Sequence, residues 1–408
     1  MTFPEPGTTA ADAGDGPLAG LRVVEISMYV QGPVAGLTLA SLGADVVKIE
    51  RVGTADQMRS LGGQFGVVLD DRGKEWQYAS LNRGKRSLAL DVASGRGAEV
   101  FRKMIAHADV FLTNLRAPGL ERIGAEYDRL RAINPRLVYG LGGGFGLRGP
   151  LVDDPCQDTL GMAYSGFMDI VSPNDQPHYP PGSMSDVLTG TNLASAIMAG
   201  LLRRGVTGRG SRVGTSQVQS LIWLANQPVG VASSVGQSMK RFSIEQPPNA
   251  LMAPYETADG WLVVAVIHPD QWPALASAMG LGALLHDERF DRFGRVLKNA
   301  DALVPILRDR FRQRTTDDWW STLREAGVWT GPVNKVEDLA QDPNVIANDY
   351  LVTFPDGFVG PPAPYEVDGW PGARSVAAEY GQHTDEVLRE LGYDARDLIE
   401  LRTAQAIW

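Results

Sequence analysis

The sequence predicts an α/β fold: a large Rossmann-like domain on a parallel sheet, followed by a smaller α+β domain. Three observations predict it. Short apolar runs alternate with helical stretches from Leu21 to Leu141, the order of a sheet covered on both faces by helices. The connections between them are short. After Pro228 the texture changes to a polar stretch broken by proline, and a new strand and helices follow.

Taken in order, Leu21–Ile26 (LRVVEI) reads as the first strand. Gly32 and Pro33 break the pattern, and Val34–Leu42 reads as a helix stopped by Gly43. Asp45–Glu50 is a second strand and Lys85–Asp91 a third, with a helix through Ala98–His107. Asp109–Thr113 is a fourth strand; a helix over Tyr127–Ile133 leads to a fifth, Leu137–Leu141. Asp158–Met168 reads as a helix, Val171–Gly182 as a proline-rich loop, and Asp186–Arg204 as a long apolar helix. Val213–Gln227 adds a strand edge and a buried helix, and Trp261–Val266 opens the smaller domain. Gly331–Val336 reads as a strand returning to the first domain, and Thr384–Ala406 as helical. The expected division is a disordered lead over residues 1–17, a large domain over 18–227, a small domain over 228–328 and a returning segment over 329–408.

Composition limits the function. The chain has 408 residues, 44% hydrophobic and 21% charged, the balance of a globular protein. Its net charge of -10 argues against broad nucleic-acid or anionic-membrane binding, which needs a basic face. Cys156 is the single cysteine, so no intrachain disulfide forms and a reducing compartment is expected. The first residues lack the basic start and apolar run of a signal peptide, and no apolar run is long enough for a membrane span. The expected location is the cytoplasm, with no membrane and no nucleic-acid partner.

Three segments bear chemistry. In Gly182–Gly190 (GSMSDVLTG), Asp186 stands among small residues at the start of the apolar helix. Near the positive end of the helix dipole it would stay ionised and could act as a nucleophile; from this segment alone the N-cap is the favoured reading. Gly142–Pro150, followed by Cys156, Gln157 and Asp158, could bring backbone N–H groups close to a ligand, or be a flexible loop. Lys48, Arg51, Arg59, Lys74, Arg83, Lys85, Arg86 and Arg122 form a basic scatter, several of them after strand ends, where α/β sheets bind ligands. Most of these charges are expected to be ordinary solvated surface. Met28, Tyr29, Tyr164 and Met184 could line an apolar pocket or pack in the core. The five histidines have no metal-ligand spacing, and His383 reads as structural. The sequence contains neither a nucleophile elbow nor a Walker loop.

In order along the chain stand LAGLRVVEISMYVQGPVAGLTLASLGADVVKIER (Leu18–Arg51), NRGKRSLALD (Asn82–Asp91), DVFLTNLRAPGLERIG (Asp109–Gly124) and NPRLVYGLGGGFGLRGP (Asn134–Pro150). SDVLTGTNLASAIMAGLLRR (Ser185–Arg204), TGRGSRV (Thr207–Val213), GPVNKVEDLAQDP (Gly331–Pro343) and HTDEVLRELGY (His383–Tyr393) follow. This ordered set resembles the class III CoA-transferases, the group that includes formyl-CoA and carnitine CoA-transferases and the related α-methylacyl-CoA racemases.

The resemblance implies a homodimer of two ring-like subunits threaded through each other. It implies that Asp186 is the catalytic aspartate, with Asp158 and Gln31 beside it. It places Gln31, Arg51, Leu90, Asn114 and Arg122 at the pocket for coenzyme A, and Gly142 and Gly143 are candidates for backbone contacts there. No permanently bound cofactor is implied: coenzyme A arrives as acyl-CoA substrate, and a carboxylic acid accepts it. The chemistry implied is an acyl-aspartyl anhydride followed by an aspartyl-CoA thioester. Two departures stand out. The racemase branch has a His-Asp pair where this chain has Gln157-Asp158, and glutamine cannot exchange an α-proton. The formyl-CoA branch has a glycine run, a mobile lid, where Gln246–Pro254 (QPPNALMAP) carries none. The alternatives are intramolecular CoA transfer, 2-methylacyl-CoA racemisation, and a non-enzymatic acyl-CoA-binding homologue.

Overall fold

The computed structural model describes residues 16–60, 76–173, 176–239, 241–367, 369, 370, 372 and 375–408. Nearly all of the expected N-terminal lead, and Lys74, lie outside the described residues. The chain forms two compact units. Of the described residues, the first gathers those within 16–167, 179–226 and 345–408; the second gathers those within 168–178 and 227–344.

The first unit is built on six strands: β1 (Arg22–Ile26), β2 (Asp45–Glu50), β3 (Arg86–Ala89), β4 (Val110–Thr113), β5 (Val138–Gly143) and β6 (Ser211–Ser216). Their order is β3-β2-β1-β4-β5-β6, and every adjacent pair is parallel. This is the Rossmann order, with its reversal between β1 and β4. Successive side chains on a strand face opposite ways. Val24, Val47 and Phe111 accordingly join one core with Phe101, Ile105 and Leu388, while Val23, Val46 and Val110 join the other with Leu39, Leu193 and Ile197.

The helix after β1 runs from Gln31 to Ser41, three residues earlier than expected. Pro33 does not break it, because proline fits the first turn, where its missing N–H has no intrahelical partner to lose. The helix Met184–Thr207 packs against it closely. A Cβ on Gly190 would lie 2.5 Å from the Gln31 carbonyl oxygen and 2.6 Å from Val34 Cβ, so only glycine permits this approach.

The second unit holds an antiparallel sheet of β7 (Met252–Glu256), β8 (Trp261–Ala265) and β9 (Thr330–Pro332), in that order. Trp272, Phe290, Leu307, Phe311 and Trp319 fill its core, and both indole N–H groups donate to backbone carbonyls at 2.8 Å. Two expectations are corrected. The strand expected to return to the large domain at Gly331–Val336 pairs instead with β8, so the second unit continues to Asn344 and not to 328. Residues 168–178, expected in the large domain, also group with the second unit. The proline-rich stretch Gln246–Pro254 runs into β7, and Ala250, Leu251 and Ala253 are buried in this core. Pro254 is accepted because β7 is an edge strand.

Candidate active site

Parallel sheets of this order bind ligands beyond the carboxyl ends of the strands, at the reversal. There the first unit laces its strand exits together. Asn114, just past β4, accepts from the Met28 N–H at 3.0 Å and donates to the Met28 carbonyl at 2.9 Å. Gln31 donates from Nε2 to the Gly143 carbonyl at the end of β5, at 2.8 Å.

Asp186 is the third residue of the helix Met184–Thr207. Ser183, with φ of 54°, holds the N-cap position, so the N-cap reading of Asp186 is corrected. The Asp186 N–H donates to Asp158 Oδ1 at 3.1 Å, and the Tyr179 hydroxyl donates to Asp158 Oδ2 at 3.0 Å. Asp158 opens the helix Asp158–Tyr164 and is buried. Gln217, the first residue after β6, donates from Nε2 to Asp186 Oδ1 at 2.5 Å and accepts from Cys156 Sγ at 3.0 Å.

Burial pushes the Asp186 carboxyl up from 3.8 to about 7; the Gln217 hydrogen bond opposes the rise and the charge of Asp158 adds to it. The expectation that the helix N-terminus keeps this carboxylate firmly ionised is therefore corrected: desolvation outweighs the stabilising contacts. The result is a carboxyl poised near neutrality.

A family model described as CoA-transferase family III matches residues 18–384. The chain belongs to CoA-transferase family III. It is 29% identical over 401 residues to the (R)-2-hydroxy-4-methylpentanoate CoA-transferase of Clostridioides difficile, covering 96% of this chain and 99% of that one. It is 32% identical over 395 residues to the succinate–glutarate CoA-transferase of Agrobacterium fabrum, covering 92% and 96%. Among solved structures, a CAIB/BAIF family protein from Brucella suis superposes with a TM-score of 0.82 at 31% identity, covering 92% of this chain and 99% of that one.

In this family III CoA-transferase, the residues expected at the site fall into two groups. Asp186, Asp158, Gln31, Gly142 and Gly143 cluster at the exits of β5 and β6 and the start of the long helix. Arg51 and Leu90 follow β2 and β3, and Arg122 lies in the last turn of the helix Ala117–Ile123. Arg51 is 61% exposed, and Arg122 is exposed as well. Leu90 is 1% exposed within the core beside Val100, so it offers a ligand no side-chain surface. Both polar ends of the Asn114 amide are engaged by Met28, which makes it a clasp between strand exits.

Among the described residues of the basic scatter, Lys48, Arg83 and Lys85 are buried and Arg59 and Arg86 half-buried, which corrects the solvated-surface expectation for these five. Lys48 pairs with Asp56 at 2.8 Å and with Glu25 at 3.3 Å, and Lys85 reaches Glu25 at 3.0 Å, all four buried. Arg59 pairs with Glu50 and Arg86 with Asp45. Arg83 donates to the Pro361 carbonyl and lies over the Phe354 ring. Tyr29, Tyr164 and Met184 are exposed, so none of them serves as core packing. His383 accepts from the Ser87 N–H through Nδ1, a structural contact.

Sequence reasoning missed Gln217. The available signal was its position at the carboxyl end of a strand in a parallel sheet, where a buried amide is suspect.

Proposed function

We propose that the carboxylate of Asp186 is the covalent carrier through which this enzyme moves CoA from an acyl-CoA donor to a carboxylic acid. The observation that supports it most is the Asp186 carboxyl itself, half-buried, raised toward neutrality and held in place by Gln217. Desolvation strips a carboxylate of the hydration that makes it a poor nucleophile in water.

Oδ2 of Asp186 attacks the donor's thioester carbonyl carbon; the C–S bond breaks, leaving an acyl-aspartyl anhydride and CoA thiolate. The thiolate attacks Asp186 Cγ and releases the donor acid, giving an aspartyl-CoA thioester. The acceptor carboxylate attacks the same carbon and frees CoA thiolate, which then takes the acceptor acyl group and regenerates Asp186. Each attack places charge on a carbonyl oxygen that needs a donor. For the acyl carbonyl, the backbone N–H groups of Gly142–Gly144 are the donors we assign. Asp158 orients the turn by accepting from the Asp186 N–H. Arg51 and Arg122, exposed and cationic, are the residues we assign to the phosphates of CoA.

Gln157 in place of a histidine argues against racemisation. The reading includes two interlocked copies and a cytoplasmic location. Leu202, Val206 and Trp223 in the first unit are exposed apolar surface that a second copy would cover, and light scattering should give twice the chain mass. Among the described residues, no helix is long and apolar enough to cross a membrane.

The test is Asp186→Asn. Transfer should fall at least about a thousandfold, the scale of losing a covalent nucleophile, while CoA binding measured by calorimetry persists. Wild-type enzyme quenched during turnover should carry an acyl or CoA adduct on Asp186. Transfer at the native rate by the variant would end this reading.

A further inference from the structure

We propose that Gln217 is the oxyanion donor for the steps that take place at the carbonyl of Asp186 itself. This rests on Asp186 being the covalent carrier. Such a transfer has two kinds of electrophilic carbon. In the first and last steps it is the acyl carbon of donor or product. In the two middle steps it is Cγ of Asp186.

When CoA thiolate attacks Cγ of the anhydride, a C–S bond forms and the carbonyl pair moves onto the Asp186 oxygen that does not carry the acyl group. The pair returns as the bond from Cγ to the bridging oxygen breaks, and the donor acid leaves as carboxylate. When the acceptor carboxylate attacks the thioester, the same kind of oxygen takes the charge and the thiolate leaves. No proton or electron is gained or lost in either step. If Oδ2 is the attacking atom, the oxygen that holds the charge is Oδ1, which already accepts from Gln217 Nε2. Among the described residues, Oδ2 carries no side-chain hydrogen bond and is free to attack.

The amide is fixed before any substrate arrives. Gln217 is 3% exposed and begins the helix Gln217–Leu224. Cys156 donates from Sγ to its Oε1. Burial and the nearby carboxylates push that thiol up to about 11, so it keeps its proton at neutral pH. With Oε1 taken by a donor, the amide must turn Nε2 toward Asp186. A Cβ on Gly161 would lie 2.8 Å from Gln217 Cβ, so the glycine makes the room in which Gln217 lies. A donor aimed at developing charge from a dry, fixed position is the arrangement that lowers a tetrahedral barrier most.

The test is Gln217→Met, which keeps apolar bulk and removes the donor, read by quenched-flow mass spectrometry of the Asp186 peptide with a donor acyl-CoA. Transfer should fall about 10²–10³-fold, the usual loss for one oxyanion donor. The adduct on Asp186 should shift from CoA to the acyl group, because the first step is spared. The acid limb of the pH profile should also move up, since Gln217 holds the Asp186 pKa down. Cys156→Ala, which frees the amide to turn, should give a smaller loss with the same shift of adduct. Unchanged transfer in Gln217→Met, or an equal slowing of acyl-adduct formation and of its conversion to the CoA adduct, would overturn the proposal. A wild-type enzyme with no adduct on Asp186 would instead remove the carrier reading beneath it.

Discussion

For Asp186, a folded-state pKa lifted from 3.8 to about 7 sets the pH behaviour of activity and of stability in opposite senses. The nucleophile is the ionised form, so kcat/KM should be level above pH 7 and fall about tenfold per unit below it. Burying the charge is unfavourable, and because the folded pKa exceeds the unfolded one, that cost is complete above pH 7 and disappears as pH falls toward 3.8. Asp186→Asn should therefore unfold at a higher temperature than wild type at pH 8, with the gap closing near pH 4; a lower unfolding temperature at pH 8 would contradict the sign. The type of residue at position 186 was legible in the sequence, but its electrostatic state was not. A helix N-terminus is visible locally, whereas desolvation and the neighbours Asp158 and Gln217 come from 28 and 31 positions away.

Among the elements, β2 at Asp45–Glu50 and the helix Tyr127–Ile133 lie where the apolar pattern puts them, because pattern and burial agree there. The start of the helix at Gln31 and strand β7 were hidden for one reason: each contains a proline in the one setting its element accepts, a first turn or a sheet edge. The contact between Gln31–Ser41 and Met184–Thr207 joins an element that carries Gln31 to one that carries Asp186. Gly190→Ala should force these helices apart. We expect a loss of ~1–3 kcal/mol in urea unfolding, typical of overpacking. Activity should fall with it, as Gln31 is drawn from Gly143; a variant as stable as wild type would show that the contact yields.

For the molecule as a whole, the reversal between β1 and β4 stands beside a buried set of charges in which Glu25 serves two lysines. Pairing across 60 positions, as between Lys85 and Glu25, leaves no trace in sequence spacing, which is why these lysines read as surface charge. Glu25→Gln takes from Lys85 its carboxylate partner and leaves Lys48 with Asp56 alone in a buried setting, and should cost ~3–5 kcal/mol, as breaking buried ion pairs does; a change below about 1 kcal/mol in denaturant titration would mean that water enters.

The edge strand β3 is completed late in the chain. The Ala89 N–H donates to the Thr384 hydroxyl, 295 positions on, and Leu90 bridges to Ile407. At about 5–20 residues per second, a ribosome needs roughly 15–60 seconds to deliver that cover. Until then Leu88 and Leu90 lack Val387, Leu388 and Ile407, the apolar partners they share in the finished core. The nascent chain thus emerges with one greasy flank bare, and it is there that cotranslational chaperones would find their hold.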